Sequence, residues 1–422
     1  MEQFLKKWRQ ALAARVPETL LGFPVSDGSE PSTSEAHKGS RGIALLIAIM
    51  IISIMMLFTS DLILSSQVNI KLAGAARDNL KAEYMAKSAF NAAMLLLSSD
   101  LAYDLYQAQQ NPKATLSDGL GDIWSALNGM PIGGETAEMA AGFGEEFGLN
   151  KVLDSGIIDQ LKLFDGSFSL EVTDEAQKIN LNYCANSRCT ETLMMLEGLF
   201  ACPAEKAFLE GKKVTGRELA YRIKDWVDSD ARAEDASGYS DEDTPYGKRR
   251  PKMQVKNAQL DSVNELRLIE GWDEEIHEVF SPYITVFPFQ SSSTDKRFQI
   301  NINTASRGLL QCLFPESRGD CNEKVALALK KRSEDQSLAV QPGQSMTEAL
   351  RELLCYATGD ANSGEANNKA NWFSTYSMVY RVETRGIVGD SEKRLTAVVE
   401  RIMPDPRKNE KSSYKILYWK MI

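Results

Sequence analysis

Ile43–Ser60 reads IALLIAIMIISIMMLFTS: eighteen residues with no charge, extended to about 20 apolar positions if Leu62–Leu64 is counted past Asp61. That is the length of a membrane span rather than of a core helix, since a buried soluble helix rarely runs so far without a polar break. Lys38 and Arg41 precede it and the next basic residue is Lys71, so the positive-inside rule leaves the N-terminus cytoplasmic and exports the rest of the chain. Beyond the span no proline occurs until Pro112, and Leu72, Ala76, Leu80 and Tyr84, then Phe90, Ala93 and Leu97, recur at helical spacing. One helix is therefore expected from Ile43 to about Ser98, about 80 Å long at 1.5 Å per residue, half apolar and half amphipathic. Of its apolar positions, Leu80, Tyr84 and Phe90 are expected to pack on the chain's own strands. Val68 and Leu72 suit contact with neighbouring helices.

Around this segment the composition is that of a globular, acidic protein. The 422 residues carry 48 Lys+Arg against 58 Asp+Glu, a formal charge of −10. An acidic chain without a long basic run is poorly suited to gripping nucleic acid. The two histidines, His37 and His277, lie far apart, which argues against multi-histidine zinc sites and most histidine-dependent triads. No GxSxG, HExxH or P-loop pattern occurs, so a membrane-anchored periplasmic hydrolase is the weak alternative. Gly142, Gly144 and Gly148 follow no strand and fit no dinucleotide fingerprint, and no organic cofactor is expected.

Residues 99–165 read as loop with short helices. Phe168–Thr173 alternates as a strand, with Ala176–Asn182 expected as its hairpin partner across Asp174-Glu175. From residue 184 the pattern turns helical: TETLMMLEGLF, AEKAFLEG and GRELAYRIKDWVD. Lys178-Ile-Asn-Leu-Asn182 returns as Gln299-Ile-Asn-Ile-Asn303, a weak internal echo. Strand signals come back at Thr375–Thr384, Arg394–Ile402 and Tyr414–Trp419. The expected fold is α+β, an N-terminal helix packed on an antiparallel sheet. Its parts are a leader 1–42, a helix 43–98 spanning the membrane at about 43–64, an α/β domain from 99–183 and 366–422, and a helical insertion 184–365.

Two groups of residues carry candidate chemistry. The stretch DWVDSDARAEDASGYSDED, residues 225–243, concentrates Asp225, Asp228, Asp230, Glu234, Asp235, Asp241 and Asp243, with Glu242 among them. Carboxylates this dense repel unless solvated or neutralised by a hard cation such as calcium, although the spacing is not that of an EF-hand. The six cysteines, Cys184, Cys189, Cys202, Cys312, Cys321 and Cys355, all follow the span, where an oxidising compartment favours disulfides; fifteen full connectivities are open. Cys312–Cys321 closes a short loop and is the first expectation, a pair within 184–202 the second. Neither group offers the two close pairs of a zinc ribbon.

The junction Lys38-Gly39-Ser40-Arg41-Gly42 resembles a prepilin leader, which implies cleavage by prepilin peptidase between Gly42 and Ile43 and methylation of the new Ile43 terminus. Farther on, Ile179-Asn-Leu-Asn182, Asp225-Trp-Val-Asp228-Ser-Asp230, Pro245-Tyr246, Val263–Gly271 and Ile300-Asn-Ile-Asn-Thr-Ala305 follow in order. This set resembles the protein K family of minor pseudopilins in the type II, or general, secretion pathway. The resemblance implies a pilin-like domain with a large helical insertion and no catalytic activity. It also implies a single-pass inner-membrane location with a periplasmic bulk, calcium binding, and a place at the pseudopilus tip. The implied partners are pseudopilins I and J, the major pseudopilin, the inner-membrane assembly platform and, before assembly, membrane lipid. Most pilin-like subunits carry glutamate at the fifth mature position; here it is Ile47, which fits a subunit with no neighbour's amine to neutralise. The alternative of the same class is a minor pilin of a type IV pilus or DNA-uptake system.

Overall fold

The computed structural model describes residues 40–110, 116–134, 165–185, 189–234, 241–247, 252–289, 299–313, 345–346, 370–403 and 413–422. The first element, α1, is one helix over Ser40–Gln110, running past the expected end at Ser98. The reason is local: nothing between Ser98 and Gln110 breaks a helix, and Pro112 is the first residue that lacks the N–H to continue it and disfavours helical backbone just before itself.

The chain forms two units, 1–71 and 72–422. In the first, every described side chain from Gly42 to Lys71 is exposed. In the second, α1 buries Ala82, Met85, Ala86, Ala89, Phe90, Ala93, Leu96, Leu97 and Leu101, the three- and four-residue steps of one helix face. Leu80 and Tyr84 lie off that face and stay 54% and 60% exposed, correcting their expected packing on the chain's own strands, whereas Phe90 is buried.

The remaining elements follow in order: β1 Ser167–Asp174, β2 Ile179–Asn180, α2 Cys189–Phe200, α3 Pro203–Gly211, α4 Gly216–Val227, α5 Glu274–Phe280, β3 Ile284–Thr285, β4 Ile300–Asn301, α6 Arg307–Leu313, β5 Phe373–Ser374, β6 Val379–Val388, β7 Ser391–Ile402 and β8 Ser413–Met421. Four strands form an antiparallel sheet in the order β1-β6-β7-β8. The β6–β7 hairpin closes through Gly389-Asp390, where Gly389 takes the positive φ of 54° such a turn demands. α1 lies directly on β6: a Cβ on Gly386 would stand 2.2 Å from the Ala82 carbonyl oxygen, and Thr384 Oγ1 donates to the Ala86 carbonyl at 2.8 Å. The outer edge of β1 is covered by residues 116–134 through bridges at Asn128 and Ile132.

The expected hairpin after β1 does not form. β1 pairs with β6, and Ile179–Asn180 pairs in parallel with β3. Asp174 ends the strand by accepting from Ala176 N at 2.7 Å, which starts a short 3₁₀ turn instead of a hairpin. The Asp174 carboxylate also takes the hydroxyls of Thr304 and Ser377, so the strand end is tied to distant residues rather than to its neighbours.

Helices α2 to α6 share a second core that gathers Leu196, Leu199, Phe200, Ile223, Trp226, Trp272, Phe280 and Leu309. It also takes in Ile179 and Leu181 before the expected insertion and Phe373, Val379 and Val398 after it. The sequence echo has a structural counterpart here. Ile179-Asn180 pairs in parallel with Ile284-Thr285, and Ile300-Asn301 with Phe373-Ser374. In each copy the first asparagine accepts from the N–H two residues on at 2.9 Å, and the second donates across the pair, Asn182 to Val286 O and Asn303 to Thr375 O.

Candidate functional site

Gly42, Ile43 and Ile47 all lie near the start of α1, in the exposed part of the helix; Ile47 is 53% exposed. The described helix is long and apolar enough to cross a membrane, and its most apolar window is entirely unburied.

The acidic stretch begins on α4, whose start is fixed by a capping box between Thr215 and Glu218 and whose last turn carries Asp225 and ends at Asp228. Carboxylates at a helix C-terminus face the negative end of its dipole, an arrangement that favours a cation nearby. The chain then turns back. Glu234 N donates to Asp225 Oδ1 at 3.3 Å, Arg232 N to Asp230 Oδ1 at 2.9 Å, and Asn257, held at a φ of 46°, donates from Nδ2 to the Asp230 carbonyl at 2.8 Å.

Asp228, Asp230 and Glu242 thereby each offer an oxygen within 4.8 Å of the others. Glu242 is only 4% exposed, and neither of its carboxylate oxygens, nor Asp228 Oδ1, has a hydrogen-bond partner among the described residues. Burial first, then the charges of Asp228 and Asp225, pushes the Glu242 carboxyl up to about 8. Burial and Asp230 push Asp228 up to about 6, with Lys224 Nζ at 3.6 Å opposing them. Buried carboxylate oxygens without donors are costly unless a cation satisfies them. The donor set, carboxylates alone, suits a hard divalent ion such as calcium, which takes about six to eight oxygens.

Of the expected ligands, then, Asp228 and Asp230 converge. Asp225 is buried beside them, and Glu234 pairs with Lys224. Asp241 and Asp243 are spent on backbone: Asp241 Oδ1 accepts from Asp243 N at 3.0 Å and Asp243 Oδ1 from Val255 N at 2.8 Å. Asp235 lies outside the described residues. Glu242, within the acidic run but not singled out as a ligand, completes the cluster; spacing does not reveal which carboxylate is buried.

The cysteines correct the first expectation. Cys312 pairs with Cys202, not Cys321, and Cys184 pairs with Cys189. The tertiary reason is the approach of α2 to α6, where Gly198 leaves room for the Cys312 carbonyl 3.4 Å from where a Cβ would sit. Cys321 and Cys355 lie outside the described residues, as does most of the glycine-rich 133–148 segment.

Comparison with known proteins gives the same direction. The profile of the family described as Type II secretion system (T2SS), protein K, matches residues 178–289. The Type II secretion system protein K of Klebsiella pneumoniae is 26% identical over 281 residues, covering 65% of this chain and 70% of that protein. A chain from the crystal structure of the GspK-GspI-GspJ complex of the enterotoxigenic Escherichia coli Type 2 Secretion System aligns over 80% of this chain and 99% of its own, with a TM-score of 0.50 at 15% identity. The helix on an antiparallel sheet, the apolar helical start and the added helical body define an anchored, pilin-like subunit. Within that class the chain is similar to the protein K family, the minor pseudopilins of type II secretion.

Proposed function

We propose that this subunit stands at the tip of the periplasmic pseudopilus, where it starts assembly with pseudopilins I and J on the inner-membrane platform and above the major pseudopilin. The observation that carries the reading is the exposed apolar helix with Ile47, not a carboxylate, at the fifth position after Gly42. A lone carboxylate in lipid costs several kcal/mol, roughly 2–4 on insertion scales, and is worth keeping only where a preceding subunit's amine neutralises it. A first-in subunit has no such neighbour. The helical body supports the same place, since bulk added beside the sheet obstructs stacking of a further subunit.

In this reading prepilin peptidase cuts after Gly42, Ile43 is methylated, the N-terminus is cytoplasmic until cleavage, and the role is structural rather than catalytic. Calcium is held by Asp228, Asp230 and Glu242, where it neutralises buried carboxylates and fixes the loop after α4. N-terminal sequencing of the mature protein tests the processing: Ile43 as first residue is the expected result, and an intact leader refutes it. Immunogold labelling of assembled pseudopili tests the position, with label at one end expected and label along the filament refuting the tip.

A further inference from the structure

The end of α1 and the 116–134 segment meet over a buried guanidinium. Arg401 on β7 is 2% exposed, donates from Nη1 to both oxygens of Asp118 at 3.0 and 3.2 Å, and reaches Asp100 Oδ2 with Nη2 at 3.4 Å. Its guanidinium carbon stands 4.9 Å over the Tyr380 ring. Asp118 is fully buried and also accepts from Ser377 N and Tyr380 Oη at 2.7 Å each.

Among the described residues around this pair the acids outnumber the base. Asp100, Asp118 and Asp122 each offer an oxygen within 4.8 Å of the others. Asp104, one turn beyond Asp100 on α1, adds a carboxylate whose Oδ2 is buried without a hydrogen-bond partner among the described residues. Among the described residues the other titratable groups that face the cluster are Tyr380 on β6, Tyr414 on β8 and Asp174 at the end of β1, which bring no positive charge. Carboxylates this close in a buried site do not all ionise; the set retains a proton as a unit.

We propose that this cluster is a proton-held latch: a proton kept between Asp100 and its neighbours at neutral pH joins the end of α1 to residues 116–134 and the sheet, and its loss to alkaline solvent loosens that joint. The carboxyl shifts run the same way. Burial, then Asp118, Asp122 and Asp104, pushes Asp100 up to about 9. Burial and Asp118 push Asp104 up to about 7, and burial is also the main cause that lifts Asp122 to about 6. With folded values above the unfolded value of 3.8, the native state holds more protons than the unfolded chain. Stability is therefore greatest on the acid side of this window, falls as pH rises toward about 9, and levels beyond it.

The test uses the full chain in detergent micelles with a chelator present, so that bound cations do not contribute. Hydrogen exchange, corrected for intrinsic rates, is followed at about pH 7 and about pH 9 for peptides covering 99–130 and, as a reference, α2–α4. One retained proton gives a fall of up to about 100-fold in the local closing equilibrium over two pH units, confined to 99–130. In Asp100→Asn the fall shrinks while protection at pH 7 is kept. An equal fall in wild type and variant, or a fall shared by α2–α4, overturns the proposal. Should Asp100→Asn not fold, Asp104→Asn removes a neighbouring charge and must move the midpoint of the loss to lower pH; an unchanged midpoint also overturns it.

Discussion

Glu242→Gln isolates the electrostatic cost of the acidic site. Glu242 is 4% exposed, its carboxylate oxygens have no donors among the described residues, and its pKa rises from 4.5 to about 8. Because the folded value lies above the unfolded one, the native state binds the extra proton, and stability falls as pH climbs through that window. At 1.36 kcal/mol per unit the whole shift bounds the loss near 5 kcal/mol, and partial solvation from the exposed neighbours Asp241 and Thr244 brings the expected figure to about 2 kcal/mol. Glutamine has the shape of the protonated acid and does not titrate. In thermal unfolding with a chelator, the variant should match wild type near about pH 4 and exceed it by about 2 kcal/mol near about pH 8.5. Calcium should reverse the order, raising wild-type stability increasingly with pH because its ligands must be deprotonated, and leaving the variant nearly unmoved. A wild type and variant whose difference is constant with pH, or whose calcium shifts are equal, would refute both the burial argument and the ligand assignment.

Three further outcomes follow from the packing. Replacing Cys202 and Cys312 by serine opens a cross-link of sequence separation 110 and should cost about 2–5 kcal/mol in denaturant unfolding, with Cys184–Cys189 intact by mass under non-reducing digestion. Gly386→Ala drives a Cβ against the α1 backbone at Ala82 and should lower stability by about 2 kcal/mol or more, read as a lower melting temperature. Asn182→Ala removes bonds to Leu260 N, Leu260 O and Val286 O, all at 2.9 Å or less, and should cost about 3 kcal/mol; Asn303→Ala loses bonds of 3.0 and 3.3 Å and should cost about half as much in urea titrations.

The anchor, the helical periodicity of α1 and the strands at the C-terminal end were legible because they rest on local pattern. An apolar run of that length has the composition of a membrane span, and alternation at 379–388 marks the sheet face directly. The misreadings share one cause. Ala176–Asn182 had the hydrophobicity of a hairpin partner, but Asp174 is drawn away by Thr304 and Ser377 from far along the chain. Cys312–Cys321 was favoured by loop length, while the packing of α2 on α6 placed Cys202 nearer. The acidic run was visible as a charge density. Which of its members converge depended on the capped end of α4 and on the return of residues 241–247 against Val255.

By itself, then, the sequence determined that this chain carries a long apolar helix from about Ile43, continues that helix amphipathically onto a sheet, and carries a dense carboxylate loop on a helical body. Those properties are set by neighbours within a few residues, through helical and strand periodicity and through unscreened charge. The tertiary structure alone decided that Glu242 and not Asp241 or Asp243 joins Asp228 and Asp230, that Cys202 meets Cys312, and that Asp100 and Asp118 share Arg401. Each is a contact between segments remote in sequence, and burial, which only the packed fold sets, gives each its energy.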